Sequence, residues 1–191
     1  MYMILPVFII FLAILTIAIR RNDRAQQDVQ EKFWKREQEA NFTRKKDLSN
    51  LEYIQFPSEL LSSGLQTPAK DALQKLSGEK MINLTHMTNT DVKLAYGAQN
   101  LDILTHYENN YVDMITQLTV YAQELLDAGE TATAQKLLEF AVSTASDSIK
   151  VYELLSTIYK EQNAPEKITA LHEQVSAMDC LTKNAILSRL V

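Results

Sequence analysis

One block of the chain stands apart by having no charge. YMILPVFIIFLAILTIAI, spanning Tyr2–Ile19, carries no ionisable acid or base. Wound as a helix it rises ~27 Å at about 1.5 Å per residue, against a bilayer hydrocarbon core of ~30 Å. The block predicts a transmembrane anchor over residues 1–19. Pro6 falls in its first turns, where a missing amide donor costs least.

After Ile19 the pattern changes. Residues 20–47 mix charges of both signs with Gln, and Ala25, Val29 and Phe33 recur every four positions, the thin stripe of a juxtamembrane helix. Glu37 interrupts the stripe, which favours a solvated spacer over a coiled coil. Residues 48–99 read as an extended segment and short helices packing on the domain. LSNLEYIQFP alternates apolar and polar positions up to Pro57, read as a packed strand-like segment, with a docking strand for a partner as the alternative. Thr67-Pro68 opens a short helix that closes near Gly78, and Asn89-Thr90-Asp91 opens another before KLAYG.

From Asn100 the helical period is strong. Leu101, Leu104, Tyr107, Tyr111, Met114, Ile115, Leu118, Tyr121, Ala122 and Leu125 trace one face of a long helix ending at Gly129. TATAQKLLEFAVSTA follows. IKVYELLSTIYKEQ comes after the start signal Ser146-Asp147-Ser148, and EKITALHEQVSAM after the break at Asn163-Ala164-Pro165. A short helix from Thr182 completes an all-α domain over 100–191. The core signals all lie beyond Leu48.

Composition narrows the reading. Four Gly and four Pro are too few for a turn-rich β-sandwich or a low-complexity chain. The single Cys180 has no partner for an intramolecular disulfide. A net charge of -5 argues against nucleic acid as a partner. The flanks of the apolar block give it an orientation: Arg20, Arg21 and Arg24 follow it directly, then Lys32, Lys35 and Arg36, and cationic flanks stay cytoplasmic. The expectation is a single-pass protein of the cell membrane, N-terminus outside and C-terminal domain in the cytoplasm. A cleaved signal would need a basic stretch before the run and small residues after it, where MYM and IRR stand.

Residues 34 apart correspond: Leu118 with Tyr152, Tyr121 with Leu155, Ala122 with Ser156 and Leu125 with Tyr159, then Ala134 with Ile168, Leu138 with His172 and Ala141 with Val175. This order of large and small positions over residues 115–190 resembles the tetratricopeptide (TPR) repeat. It departs from that pattern at Leu118, Ile168, Val175 and Ser146. Two repeats alone do not bury a continuous core, so the flanking helices are expected to complete it. TRKKDLSNLEYI, LTHMTNTDVKLAYG, LLEFAVSTASD and LTKNAILSRL also resemble a family of uncharacterised single-pass proteins from anaerobic gram-positive bacteria. That resemblance implies architecture and no mechanism.

No phosphate loop, nucleophile elbow, zinc-protease helix or Cys pair is present in the sequence. His86, His106 and His172 are scattered, and His172 reads as a packed core imidazole. Cys180 reads as a small buried apolar group. Glu130, Glu139 and Glu153 read as exposed carboxylates. Asn41-Phe42-Thr43 and Asn83-Leu84-Thr85 match the glycosylation triplet but lie on the side expected to be cytoplasmic. No catalytic, cofactor or metal residue is assigned, and no small-molecule substrate. The TPR resemblance implies a concave face formed by Thr116, Thr119, Gln123 and Asp127, with Lys150, Glu153, Thr157 and Lys160. The reading is a membrane-tethered adaptor that binds an unidentified protein through this face or through residues 44–57. A structural subunit of a membrane complex is the alternative, and an enzyme with an unrecognised site ranks below both.

Overall fold

A computed structural model describes residues 4–62 and 64–190, without the side chains at 4–7, 10, 13 and 25. Eight α-helices make up the described chain: α1 Ile4–Phe42, α2 Pro68–Leu76, α3 Asn89–Tyr96, α4 Leu101–Asp127, α5 Thr131–Ser143, α6 Ile149–Glu161, α7 Pro165–Ala177 and α8 Lys183–Leu187. Among the described residues the only β pairing is an isolated antiparallel bridge between Ile54 and Met81. The all-α reading is correct.

Helix starts follow local chemistry. Thr67 caps α2, its hydroxyl accepting the Lys70 amide at 3.3 Å, and Pro68 takes the first helical position. Thr88 and Asp91 form a reciprocal capping box at α3, which therefore begins one residue after the cap. Helix ends are local too. Gly129 (φ 82°), Ala145 (φ 55°) and Asn163 (φ 52°) follow α4, α5 and α6 in the left-handed region. Just beyond them Glu130, Ser146 and Ala164 donate their amides to Leu125, Ala141 and Tyr159, closing the last turns. Gly129 and Asn163 lie 34 positions apart, the interval found between paired apolar positions.

Packing proceeds from neighbour to neighbour: α5 on α4, α6 on α5, α7 on α6, with α2 covering another side of α4. One core runs through these elements. Its largest fully buried side chains include Tyr111, Tyr121, Tyr152, Leu118, Leu137 and Leu155. Ala122, Ala134 and Ala141 are wholly buried between the larger groups, so helix α4 and helix α5 approach at alanine. Ala134→Leu is accordingly expected to cost about 1–3 kcal/mol by overpacking, and Thr133→Leu, at a half-buried position, within about 0.5 kcal/mol. Urea melts of the two variants check this, and equal tolerance would remove the close approach. A second, smaller core holds Ile82, Leu84, Val92 and Leu104, packed by Leu48, Leu51 and Tyr107.

Several expectations need correction. Among the described residues no helix is long and apolar enough to cross a membrane. Tyr2 and Met3 of the expected anchor lie outside the described residues. The charge-free run that remains, Ile4–Ile19, rises only ~24 Å before Arg20 and Arg21, short of a ~30 Å hydrocarbon core. Nor does α1 stop at Ile19. It continues unbroken through the expected juxtamembrane connector to Phe42.

The core also begins before Leu48. Ala40 is fully buried where the end of α1 meets α3. Glu37, which interrupts the apolar stripe, accepts from Lys93 and from the Thr90 hydroxyl at 2.6 Å, while Arg36 pairs with Asp91 at 2.5 Å. The Lys93 ammonium first, then Thr90, holds the Glu37 carboxyl below its usual range. The stripe residues Val29 and Phe33 stay exposed. Residues 48–57 pack on the domain: the Ile54 amide donates to Met81 at 2.9 Å, Phe56 sets its ring edge-on to Phe140, and Tyr53 does the same to Tyr107.

Candidate functional site

The long apolar face of α4 is buried, and what it leaves outside is a mixed stripe. Val112, Thr116 and Val120 follow one another at helical spacing, with Ile115 and Thr119 beside them. The turn from α5 into α6 comes up against this stripe and encloses a groove of about 340 Å³. Thr85, Tyr111 and the run Ser146–Asp147–Ser148 form its other wall.

Asn83 and Tyr111 together hold that turn. Asn83 donates its amide to the carbonyls of Thr144 and Ala145, both at 3.0 Å, and to the Tyr111 hydroxyl at 3.2 Å. Its own side-chain oxygen accepts from the Thr85 amide and hydroxyl. Ala145, at positive φ, is a costly conformation for a residue with a side chain, and the Asn83 clamp helps to hold it. Sequence reading treated Asn83 only as part of a glycosylation triplet. The carbonyls it holds lie 61 and 62 positions away, and no local pattern announces them.

The expected face divides. Thr116 and Thr119 line the groove. Gln123 and Asp127, one and two turns further on, bond to each other at 2.9 Å and lie outside it. Lys150, Glu153, Thr157 and Lys160 sit along α6 and do not line it either. The exposed Lys150 pairs with Glu153 at 3.7 Å, and the Thr157 hydroxyl donates to the Glu153 carbonyl. Helices α4 and α6 do touch, but the two sets do not line a common groove.

The other singled-out groups fall as follows. His172 is exposed, and the core position beside it is filled by Leu171. The corresponding Leu138 is buried because α6 follows and covers it. After α7 the short α8 follows, and Ile186 on it and Leu190 just beyond it are buried in the main core. Cys180 is half-buried rather than buried, with its sulfur 3.5 Å from the Thr182 hydroxyl. Glu130, Glu139 and Glu153 are half-buried, not exposed. Glu139 accepts from the Tyr159 hydroxyl at 2.9 Å and from Gln135 at 2.7 Å. His86 and His106 are exposed, and among the described residues no group of three His, Cys, Asp or Glu is placed to hold a metal.

Electrostatically the domain is one-sided. Residues 100–191 carry thirteen Asp and Glu against six Lys and Arg, while residues 1–99 carry eleven against thirteen. Around the groove, burial raises the Tyr111 hydroxyl above its usual range, and the Asp147 carboxylate adds to that rise. The groove combines polar side chains with the apolar side chains of Val112, Ile115 and Val120. No family model, curated protein or solved structure matches this chain.

Proposed function

We propose that this protein is a membrane-tethered helical adaptor whose N-terminal helix lies in the bilayer and whose TPR-like domain binds another protein at the cytoplasmic face. The observation that carries the tether is on α1. Phe8, Ile9, Phe11, Leu12, Ile14, Leu15, Ile17 and Ile19 are all largely exposed. At 100° per residue they point in every direction around the helix. An all-round apolar helix in water has no stable polar face, and a bilayer supplies the missing apolar surroundings. The charge-free part of α1 rises ~24 Å, and local thinning of the bilayer covers the remainder. The 34-residue interval shared by the core pairs and by the turns at Gly129 and Asn163 supports the repeat reading.

The tether is tested with reporters fused after Val191 and with alkaline extraction of membranes. A cytoplasmic reporter is expected to be active and the protein to stay with the membrane pellet. Activity of an export-dependent reporter, or release by carbonate, would overturn the reading. A structural subunit of a membrane complex is the second reading, favoured by the ion-paired clamp between α1 and α3, which couples the tether to the domain. Constitutive co-purification in detergent would select it, while salt-sensitive capture selects the adaptor.

A further inference from the structure

The geometry points to the groove between α4 and the α5–α6 turn as a receptor for a basic side chain, Lys or Arg, presented by the protein partner; this rests on the adaptor reading and names the partner's chemistry. The groove is rich in acceptors, and the hydroxyls of Ser146 and Ser148 can accept as well. Thr116 gives its hydroxyl proton to the Val112 carbonyl at 2.8 Å, and Thr119 gives its own to Ile115 at 2.7 Å. Thr85 donates to Asn83 at 2.8 Å and Tyr111 to the Thr144 carbonyl at 3.3 Å. The threonine oxygens keep lone pairs for an incoming donor, whereas that of the buried Tyr111 already accepts from Asn83.

Asp147 adds a full negative charge on the same wall, and among the described residues no cation pairs with it. An ammonium or guanidinium carries only donors and no acceptor, the complement of this set. Its aliphatic stem has a matching floor in Val112 and Val120, which are about half exposed, at 45% and 46%, and in Ile115. The first turn of α6 beside the groove favours an anion instead, but Asp147 already supplies that negative charge and repels a second. The acidic excess of residues 100–191 draws a basic partner toward this side of the chain.

The test uses the full chain, isotope-labelled in zwitterionic micelles, titrated with n-butylguanidinium chloride, sodium butyrate and 1-butanol at matched ionic strength. The expected result is saturable shifts of the amides of residues 112–120 and 146–148 with the cation alone. Asp147→Asn should weaken that binding about tenfold through loss of a charge-assisted contact. Thr116→Val, at an exposed position, should weaken it about threefold and keeps the test decisive if the Asp147 variant unfolds. Equal response to butyrate or butanol, or cation shifts scattered over the acidic surface and indifferent to both variants, overturns the proposal. Intact-cell crosslinking from position 120 tests the adaptor reading separately. A groove that takes the cation without a crosslinked partner would leave the site standing and remove the adaptor.

Discussion

Replacing Gly97 with alanine is expected to remove about 3 kcal/mol or more of stability, through backbone strain and a clash that nothing nearby relieves. Gly97 has φ 95°, a conformation that residues with side chains rarely hold. A Cβ there would stand 2.3 Å from the Arg44 carbonyl oxygen and 2.7 Å from the Lys45 Cα, both backbone atoms. The crossing cannot open freely, because it is pinned on both sides. The Lys46 amide donates to Tyr96 at 3.0 Å and the Ala98 amide to Thr43 at 3.2 Å, while the Asn100 side chain bonds the carbonyls of Lys46 and Tyr96. Gly78→Ala is the control, since a Cβ there meets nothing within 4 Å, and it should change stability by no more than about 0.5 kcal/mol. Denaturant melts compare the two. Equal effects would mean that the crossing of the segment after α1 with the end of α3 is not a constraint on the fold.

Tyr152→Ala is expected to cost about 3–5 kcal/mol, much of the stability of a domain of this size. Its ring is fully buried in the main core on α6, and its hydroxyl reaches the Met178 sulfur at 3.5 Å. Tyr152→Phe separates ring from hydroxyl. Burial first, then the negative charge that Tyr111, Cys180 and Asp147 place nearby, pushes the Tyr152 hydroxyl up to about 12. In the unfolded chain a tyrosine titrates near ~10, so above that pH the unfolded state has lost a proton that the folded state keeps. The stabilisation is complete below about pH 10 and disappears as pH rises through about 12. Tyr152→Phe should therefore keep most of the packing and lose part of the alkaline decline. A decline remains from Tyr111, Tyr121 and Tyr159, whose hydroxyls are also raised, first of all by burial. An unchanged alkaline slope in the Phe variant would show that the Tyr152 hydroxyl is solvated.

The helical architecture was legible because its causes are local. Helix α4 could be read from apolar residues three and four positions apart. The buried set Leu104, Tyr111, Met114, Leu118, Tyr121, Ala122 and Leu125 is the face that this spacing defines. Thr67 and Pro68 announce the start of α2, and Asn89-Thr90-Asp91 that of α3 with its cap one position earlier at Thr88, because a cap bonds only to amides within its own first turn. Small residues at Ala134 and Ala141 similarly marked where helices come close.

What escaped the sequence depends on neighbours far along the chain. His172 and Leu138 occupy equivalent positions by period, and whether such a position is buried depends on the helix that follows, α6 in one case and the short α8 in the other. Glu37 reads as a flaw in a stripe until Lys93 and Thr90 stand opposite it. Of the expected binding face, only Thr116 and Thr119 meet the wall that makes a groove, because that wall is set by Asn83 holding the turn at Ala145. By itself the sequence determined most of the helices after α1 and most of the core they bury, consequences of spacing and contacts within a turn or two. The tertiary structure alone decided which part of the outer α4 face borders a groove and which polar side chains are held in place. Hydrogen bonds and close approaches between residues fifty or more positions apart, such as Gly97 against Arg44, leave no periodic trace in the chain.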